Sequence, residues 1–254
     1  NNFYEKCISK KLKKNDVFLT FDDGLKCQYD IAYPILKKMK IKAFFFLYSS
    51  AINKPSNLEI IRDFRFRCFN DINDFYTEFF NLFENLYYRI DFKSHTYKNY
   101  LKNYRFYSLN DRIYRYLRDK ILDEKEYLKI IFKMMRKKKY NKFNYSKKLI
   151  MSKSNIKKII NNGNLIGLHS HSHIVDLTEK NYNYQLKEYK LNLNFLYKNF
   201  KIRCNAVSYP FGRYNRDTLK IMTKIGVKVG FLSTENFKKK KKKLEISRMD
   251  HNTF

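Results

Sequence analysis

Short apolar runs of strand length alternate with longer stretches in which apolar residues recur every three or four positions. Asp16-Val17-Phe18-Leu19-Thr20-Phe21 reads as a buried strand that stops at Asp22-Asp23-Gly24. Tyr29, Ala32, Tyr33, Leu36 and Met39 then mark a helix, and Ala43-Phe44-Phe45-Phe46-Leu47-Tyr48 is a second strand, which together make a β-α-β unit.

From about residue 53 to 148 the pattern changes to long charged and aromatic segments with helical spacing, such as Phe75, Phe79, Leu82, Phe83 and Leu86. The segment has no Gly, and its one proline, Pro55, stands at its start, so it reads as an insertion of three to four helices within a single domain spanning 1–254. A regular β-α pattern then resumes. Ile156, Ile159 and Ile160 form a helix face that ends at Asn162-Gly163, and Leu165–Leu168 is a strand. A long amphipathic helix covers roughly Thr178 to Phe200, strand Asn205–Tyr209 ends at Pro210-Phe211-Gly212, helix Thr218–Ile225 closes at Gly226, and strand Val227–Leu232 comes next. Last, Leu244–Ser247 reaches Arg248-Met249-Asp250-His251.

The chemistry-bearing residues sit where these predicted strands end. Three of the five histidines fall in Leu168-His169-Ser170-His171-Ser172-His173, and the paired carboxylates Asp22-Asp23 come just after the first strand. Imidazole and carboxylate donors gathered in two tight groups suit a borderline divalent metal such as zinc in a hydrolytic site. Placement past the C-terminal ends of strands is where parallel α/β barrels carry their chemistry.

Composition narrows the picture. With 44% hydrophobic and 18% aromatic residues the chain has ample material for a core. The net charge of +30 normally points to a polyanionic partner. Here abundant Lys, Asn, Ile, Tyr and Phe with 6 Gly, 3 Pro and no Trp match A/T-rich codon usage, and no nucleic-acid-binding motif occurs, so no specific nucleic acid is expected and the run Lys238–Lys243 reads as a solvated loop. Cys7, Cys27, Cys68 and Cys204 form no C-x-x-C pair and read as reduced, mostly buried thiols. Asn1–Lys6 carries no signal-peptide apolar stretch and no run has transmembrane length, which predicts a cytoplasmic enzyme, although a chain not beginning with Met leaves room for a removed upstream segment.

Thr20-Phe21-Asp22-Asp23-Gly24 and His169-Ser170-His171-Ser172-His173, each after a strand, make the chain similar to the NodB-type polysaccharide deacetylase family, of the carbohydrate esterase family 4 kind. Its signatures T-F-D-D-G and H-[ST]-x-x-H are both met. The third, R-x-P-[YF]-G, is represented by Ser208-Tyr209-Pro210-Phe211-Gly212, which lacks the Arg, and no fourth signature is evident. Arg248-Met249-Asp250-His251 resembles an R-x-D-H ending in a branch of the family linked to cell-surface saccharides. The resemblance covers residues 16–50 and 149–254 and implies a distorted (β/α) barrel with a large helical insertion.

Position by position, the resemblance implies Asp23, His169 and His173 as metal ligands and Asp22 as catalytic base, with Ser170 holding the histidine loop. It implies a divalent cation, zinc foremost with cobalt, manganese or iron as alternatives, and hydrolysis of the N-acetyl group of an amino sugar in a surface polysaccharide or its precursor. In the mechanism the resemblance implies, Asp22 takes the proton from activated water and the Phe211 N–H, between Pro210 and Gly212, holds the oxyanion, with His251 the candidate acid for the departing amine. His171 is expected beside the ligands or in solvent, and His95 at the surface of the insertion. Without the third-signature Arg, an aspartate base among aromatics needs another cation. Arg248 is the expected substitute, with Arg213 next. The insertion is expected to wall the substrate groove. Two rival functions remain: hydrolysis of another C–N amide, such as a formamido sugar or cyclic ureide, and an inactive module binding a polyanion or glycan.

Overall fold

In this computed structural model, which describes residues 5–6, 9, 17–52, 55–103, 107–142, 144, 148–233 and 242–250, the apolar runs become one parallel sheet. Its strands are β1 (Thr20–Phe21), β2 (Phe44–Leu47), β3 (Leu165–Leu168), β4 (Ala206–Ser208) and β5 (Val229–Phe231). They lie side by side in sequence order. Parallel neighbours need crossover connections, and an order that never reverses puts those crossovers on one face, as in a barrel and unlike a doubly wound sheet. The fold is α/β with a curled five-strand parallel half-barrel.

The helices in chain order are α1 (Tyr33–Lys38), α2 (Asn57–Cys68), α3 (Ile72–Leu86), α4 (His95–Asn99) and α5 (Leu109–Tyr116). After them come α6 (Glu124–Lys137), α7 (Lys153–Asn161), α8 (Tyr182–Phe200) and α9 (Arg216–Lys224). Among the described residues no helix is long and apolar enough to cross a membrane. The chain divides into two compact units, one of Asn1–Ser56 with Lys148–Asn252 and one of Asn57–Lys147.

In the first unit the period-2 pattern of β2 sorts side chains to two faces. Phe45 and Leu47 join Ile166, Leu168 and Val207 in a core with Leu36 of α1, Ile156 and Ile159 of α7, Tyr189 and Leu196 of α8, and Ile221 and Met222 of α9. Phe44 and Phe46 join Ala206, Val229 and Phe231 in a second cluster, with ring centroids of Phe44, Phe46 and Phe231 5.4–5.6 Å apart. Both faces are buried, as a parallel sheet requires. The helices start where short polar side chains take up free amides: Ser152, Asn181 and Asn215 cap α7, α8 and α9.

The strands are shorter than their apolar runs. Val17 is 85% exposed and Leu19 41%, because among the described residues β1 pairs with β2 alone and the expected strand narrows to two residues. The expected strand Leu244–Ser247 is reduced to a parallel bridge between Ile246 and Phe231, with Leu232 N–H donating to the Ile246 carbonyl at 2.8 Å. Its close approach explains Gly230: a Cβ there would stand 2.5 Å from the Leu244 carbonyl oxygen.

The second unit holds α2 to α6, more than the three to four helices expected, because α4 and α5 are too short to show a clear period. Phe64, Phe75 and Phe79 are fully buried there. The Arg65 guanidinium lies 4.9 Å from the Phe75 ring centroid and 5.4 Å from that of Tyr114, and donates to the Tyr76 hydroxyl at 3.0 Å. Asp123 and Glu126 form a capping box at the start of α6.

Candidate metal and catalytic centre

Register aligns the C-terminal ends of the strands, since Leu47 pairs with Leu168, Leu168 with Val207, and Ser208 with Phe231. The turns leaving those ends therefore converge. After β1 the chain turns through Asp23 at φ 76° and Gly24 at φ 71°. This left-handed pair is tolerated by Asp and natural to Gly, and a Cβ on Gly24 would also meet Leu47 Cδ2 at 2.8 Å. The turn is pinned by Gln28 Nε2 donating to the Asp22 carbonyl at 2.6 Å and Met151 N–H to the Gly24 carbonyl at 2.9 Å.

After β3 the buried rings of His169 and His173 face that turn. Asp23 Oδ1 stands 3.3 Å from His169 Nε2 and 3.1 Å from His173 Nε2, and the two Nε2 atoms are 3.1 Å apart. His169 Nδ1–H donates to the Ser208 carbonyl at 2.7 Å, which leaves the Nε2 lone pair aimed at Asp23. Ser170, at φ 61° and fully buried, accepts the His173 amide on its Oγ at 3.1 Å. Burial pushes the His169 imidazole toward its neutral form, but the Asp22 and Asp23 carboxylates outweigh it and its pKa is raised. The centre attracts positive charge.

Asp22 points to the other side of the turn. Arg248 holds it with two prongs, Nη1 to Oδ1 at 2.9 Å and Nη2 to Oδ2 at 2.7 Å, and the Ser208 hydroxyl donates to Oδ2 at 2.9 Å. Arg248 is itself fixed by donation to the Leu232 carbonyl at 2.8 Å, to Thr20 Oγ1 at 3.0 Å and to Ser208 Oγ at 2.9 Å. Burial by itself would raise the Asp22 pKa, yet the Arg248 guanidinium, aided by His169, holds it below the ordinary carboxylate value. The ionised carboxylate keeps Arg248 protonated in turn.

The remaining expected residues are spread around this centre and beyond it. His171 turns away from Asp23, its Nδ1 2.8 Å from Ser49 Oγ. Arg213 pairs with Asp176 at 2.7 Å. Phe211, between Pro210 and Gly212 in a 3-10 turn after β4, has φ 55° and packs its ring 4.9 Å from that of His173. His95 is exposed on α4, with Asn99 Nδ2 2.9 Å from its ring nitrogens. His251 and Lys238–Lys241 lie outside the described residues. Of the cysteines described, only Cys204 is buried; Cys68 is half-buried and Cys27 exposed, which corrects the expectation of mostly buried thiols.

A model of the polysaccharide deacetylase family matches residues 9–133 and 119–230. The chain belongs to the polysaccharide deacetylase family. Comparison with curated proteins finds no match. Among solved structures it is similar to the Streptococcus pyogenes deacetylase PplD in complex with acetate, at TM-score 0.54 and 18% identity over 97% of this chain and 70% of that one. It is also similar to a de-N-acetylase from Aggregatibacter actinomycetemcomitans (0.53, 12%, 98% and 75%) and to IcaB from Ammonifex degensii (0.51, 14%, 98% and 75%). At such identities the likeness is one of fold. Within the family's frame, this chain carries Ser208 where the third signature has Arg, and a guanidinium from a different segment, Arg248, stands against the aspartate.

The sequence pattern did not single out the side chains of α8 that hold the histidine loop. Glu188 Oε2 accepts the amides of His171 at 3.1 Å and Ser172 at 2.8 Å, and Oε1 accepts the Ser172 hydroxyl at 2.9 Å. Asn192 accepts the His169 amide at 2.9 Å and donates to the Leu47 carbonyl at 3.0 Å, tying the ends of β2 and β3 together. Gln185, Glu188 and Asn192 are all buried, and their i, i+3, i+7 spacing is the signal, a polar stripe on the inward face of an otherwise amphipathic helix.

Proposed function

We propose that this chain is a metal-dependent hydrolase that removes N-acetyl groups from amino-sugar units of a surface polysaccharide or its precursor. The observation that carries this reading is the triangle of Asp23, His169 and His173 set directly beside an Arg-clamped Asp22. The donor set fits a divalent cation: tetrahedral bonds of about 2.1 Å put donors about 3.4 Å apart, close to the 3.1–3.3 Å spacing here. Three lone-pair-bearing atoms at that spacing need positive charge among them. Zinc suits one carboxylate and two imidazoles; cobalt, manganese and iron are the alternatives.

Such a cation lowers the pKa of water and polarises the scissile carbonyl. The chain does the rest. Asp22, kept ionised and fixed in direction by Arg248 and Ser208, takes the proton from the attacking water. The Phe211 N–H, on the turn that packs against His173, holds the oxyanion, and His251 delivers a proton to the departing amine. Acetate bound by the similar Streptococcus pyogenes deacetylase is the product expected here. The Arg248–Asp22 pair favours a working site over an inactive relic, since a relic has no need to restore the missing cation.

Acetate release from N-acetylhexosamine oligomers and nucleotide sugars, measured with metal content, tests the reading. Release of formate or ring-opened ureide in place of acetate would move the substrate to another amide. A chain with no stoichiometric metal and no turnover after reconstitution with zinc, cobalt or manganese would overturn it in favour of a binding module.

A further inference from the structure

The histidine loop is held in a conformation it would not choose alone. Ser170 at φ 61° and His173 at φ 53° are both left-handed without being Gly, a strain that persists only where surrounding groups over-determine the backbone. Between them lie His171 and Ser172, and the amides of both point at one buried carboxylate, Glu188, which the Ser172 hydroxyl also reaches. Three donors from two consecutive residues on one anion leave the segment a single arrangement. One helical turn on, Asn192 fixes the His169 amide at the loop's start.

We propose that Glu188 is a positioning residue for cation binding, holding the 169–173 loop so that the two Nε2 atoms are set toward Asp23 before any ion arrives. This rests on the metal-site reading above and extends it to a residue that touches neither the ion nor the substrate. Charge-assisted bonds to backbone N–H are strong and directional, so replacing the carboxylate releases the loop while the ligands themselves stay intact. A purely structural Glu188 would act differently: its loss would lower the melting temperature of the metal-free chain and leave affinity for the ion unchanged.

The test is titration of the metal-free chain with Zn²⁺, and with Co²⁺ monitored by visible absorption, in wild type, Glu188→Ala, Glu188→Gln and Ser172→Ala, each with a metal-free melt. Removing a group that orients metal ligands typically costs about 10–100-fold in affinity. That loss is expected in Glu188→Ala, with an altered Co²⁺ spectrum. Glu188→Gln, which keeps one carbonyl acceptor, should recover part of it. Ser172→Ala, which removes one donor from an exposed residue, serves if Glu188→Ala fails to fold, and should weaken Zn²⁺ measurably without lowering the metal-free melt. Wild-type Zn²⁺ affinity in Glu188→Gln and Ser172→Ala overturns the proposal. A wild-type chain that binds Zn²⁺ but releases no acetate sinks the deacetylase reading and leaves this one standing.

Discussion

Arg248 and Asp22 are 226 residues apart in sequence and meet in a two-pronged ion pair of 2.7 and 2.9 Å. The guanidinium matches the carboxylate with two parallel N–H donors, a geometry Lys cannot reproduce. Arg248→Ala is therefore expected to lower kcat about 100-fold, the scale of a misdirected general base, while zinc affinity stays near wild type. The lowered Asp22 pKa sets the sign of the pH effect. Without the cation that pKa rises, so the base is protonated at higher pH and the acidic limb of kcat/KM moves upward. Wild-type turnover with an unshifted limb would remove Arg248 from the centre.

Ser208 is fully buried and already hydrogen-bonded to both partners. Restoring the family's Arg there, as Ser208→Arg, is expected to destabilise the fold by about 3 kcal/mol or more, through overpacking and a second buried cation. Combining it with Arg248→Ala should recover part of both stability and turnover. Strictly additive losses in that double-mutant cycle would show that the two positions do not share Asp22.

On the proposed reading, a cation held by Asp23, His169 and His173 stabilises the fold, because the three donors come from two turns that are adjacent only in the folded chain. At free zinc 100-fold above Kd the folded state gains about 2.7 kcal/mol, so chelation should lower the melting temperature and zinc should restore it. Asp23→Ala or His173→Ala should abolish that response. A melt indifferent to zinc and chelator in the wild type would mean that the triangle holds no ion.

Burial pushes the Cys204 thiol up to about 12. Reactivity tracks the thiolate, so at pH 8 Cys204 should resist alkylation in the folded chain and react only after denaturation, while exposed Cys27 reacts at once. Peptide mass mapping of native and denatured samples distinguishes the two.

Local features were the legible ones in the sequence. Thr20–Gly24 and His169–His173 announce themselves because strand, turn and carboxylate or imidazole donors lie within a few residues of each other, and the order of β and α segments pointed to a parallel α/β sheet whose barrel form the family resemblance implied. The spacing of Glu188 and Asn192 places them on one face of α8, but in sequence a polar stripe on a helix reads as a solvent-facing one. Only the tertiary contact shows which it is. Strand length was overestimated for a similar reason: Val17 belongs to an apolar run but finds no strand to pair with among the described residues. Arg248 was reachable because loss of one cation predicts another, although nothing local says which segment supplies it.

The sequence order of the strands also determines when this centre can exist. β1 must wait for β2, the long segment 57–147, and then β3 to β5 before the stretch carrying Arg248 closes beside it. At ribosomal rates of about 5–20 residues per second, the 226-residue gap is a delay of roughly 10 to 45 s. Until Arg248 emerges Asp22 lacks its two-pronged partner, and until β3 emerges β2 has only β1 beside it. A nascent chain therefore passes through a sheet with an open, sticky edge before the Asp22–Arg248 pair can form, so slow or interrupted synthesis should favour aggregation over completion of the sheet.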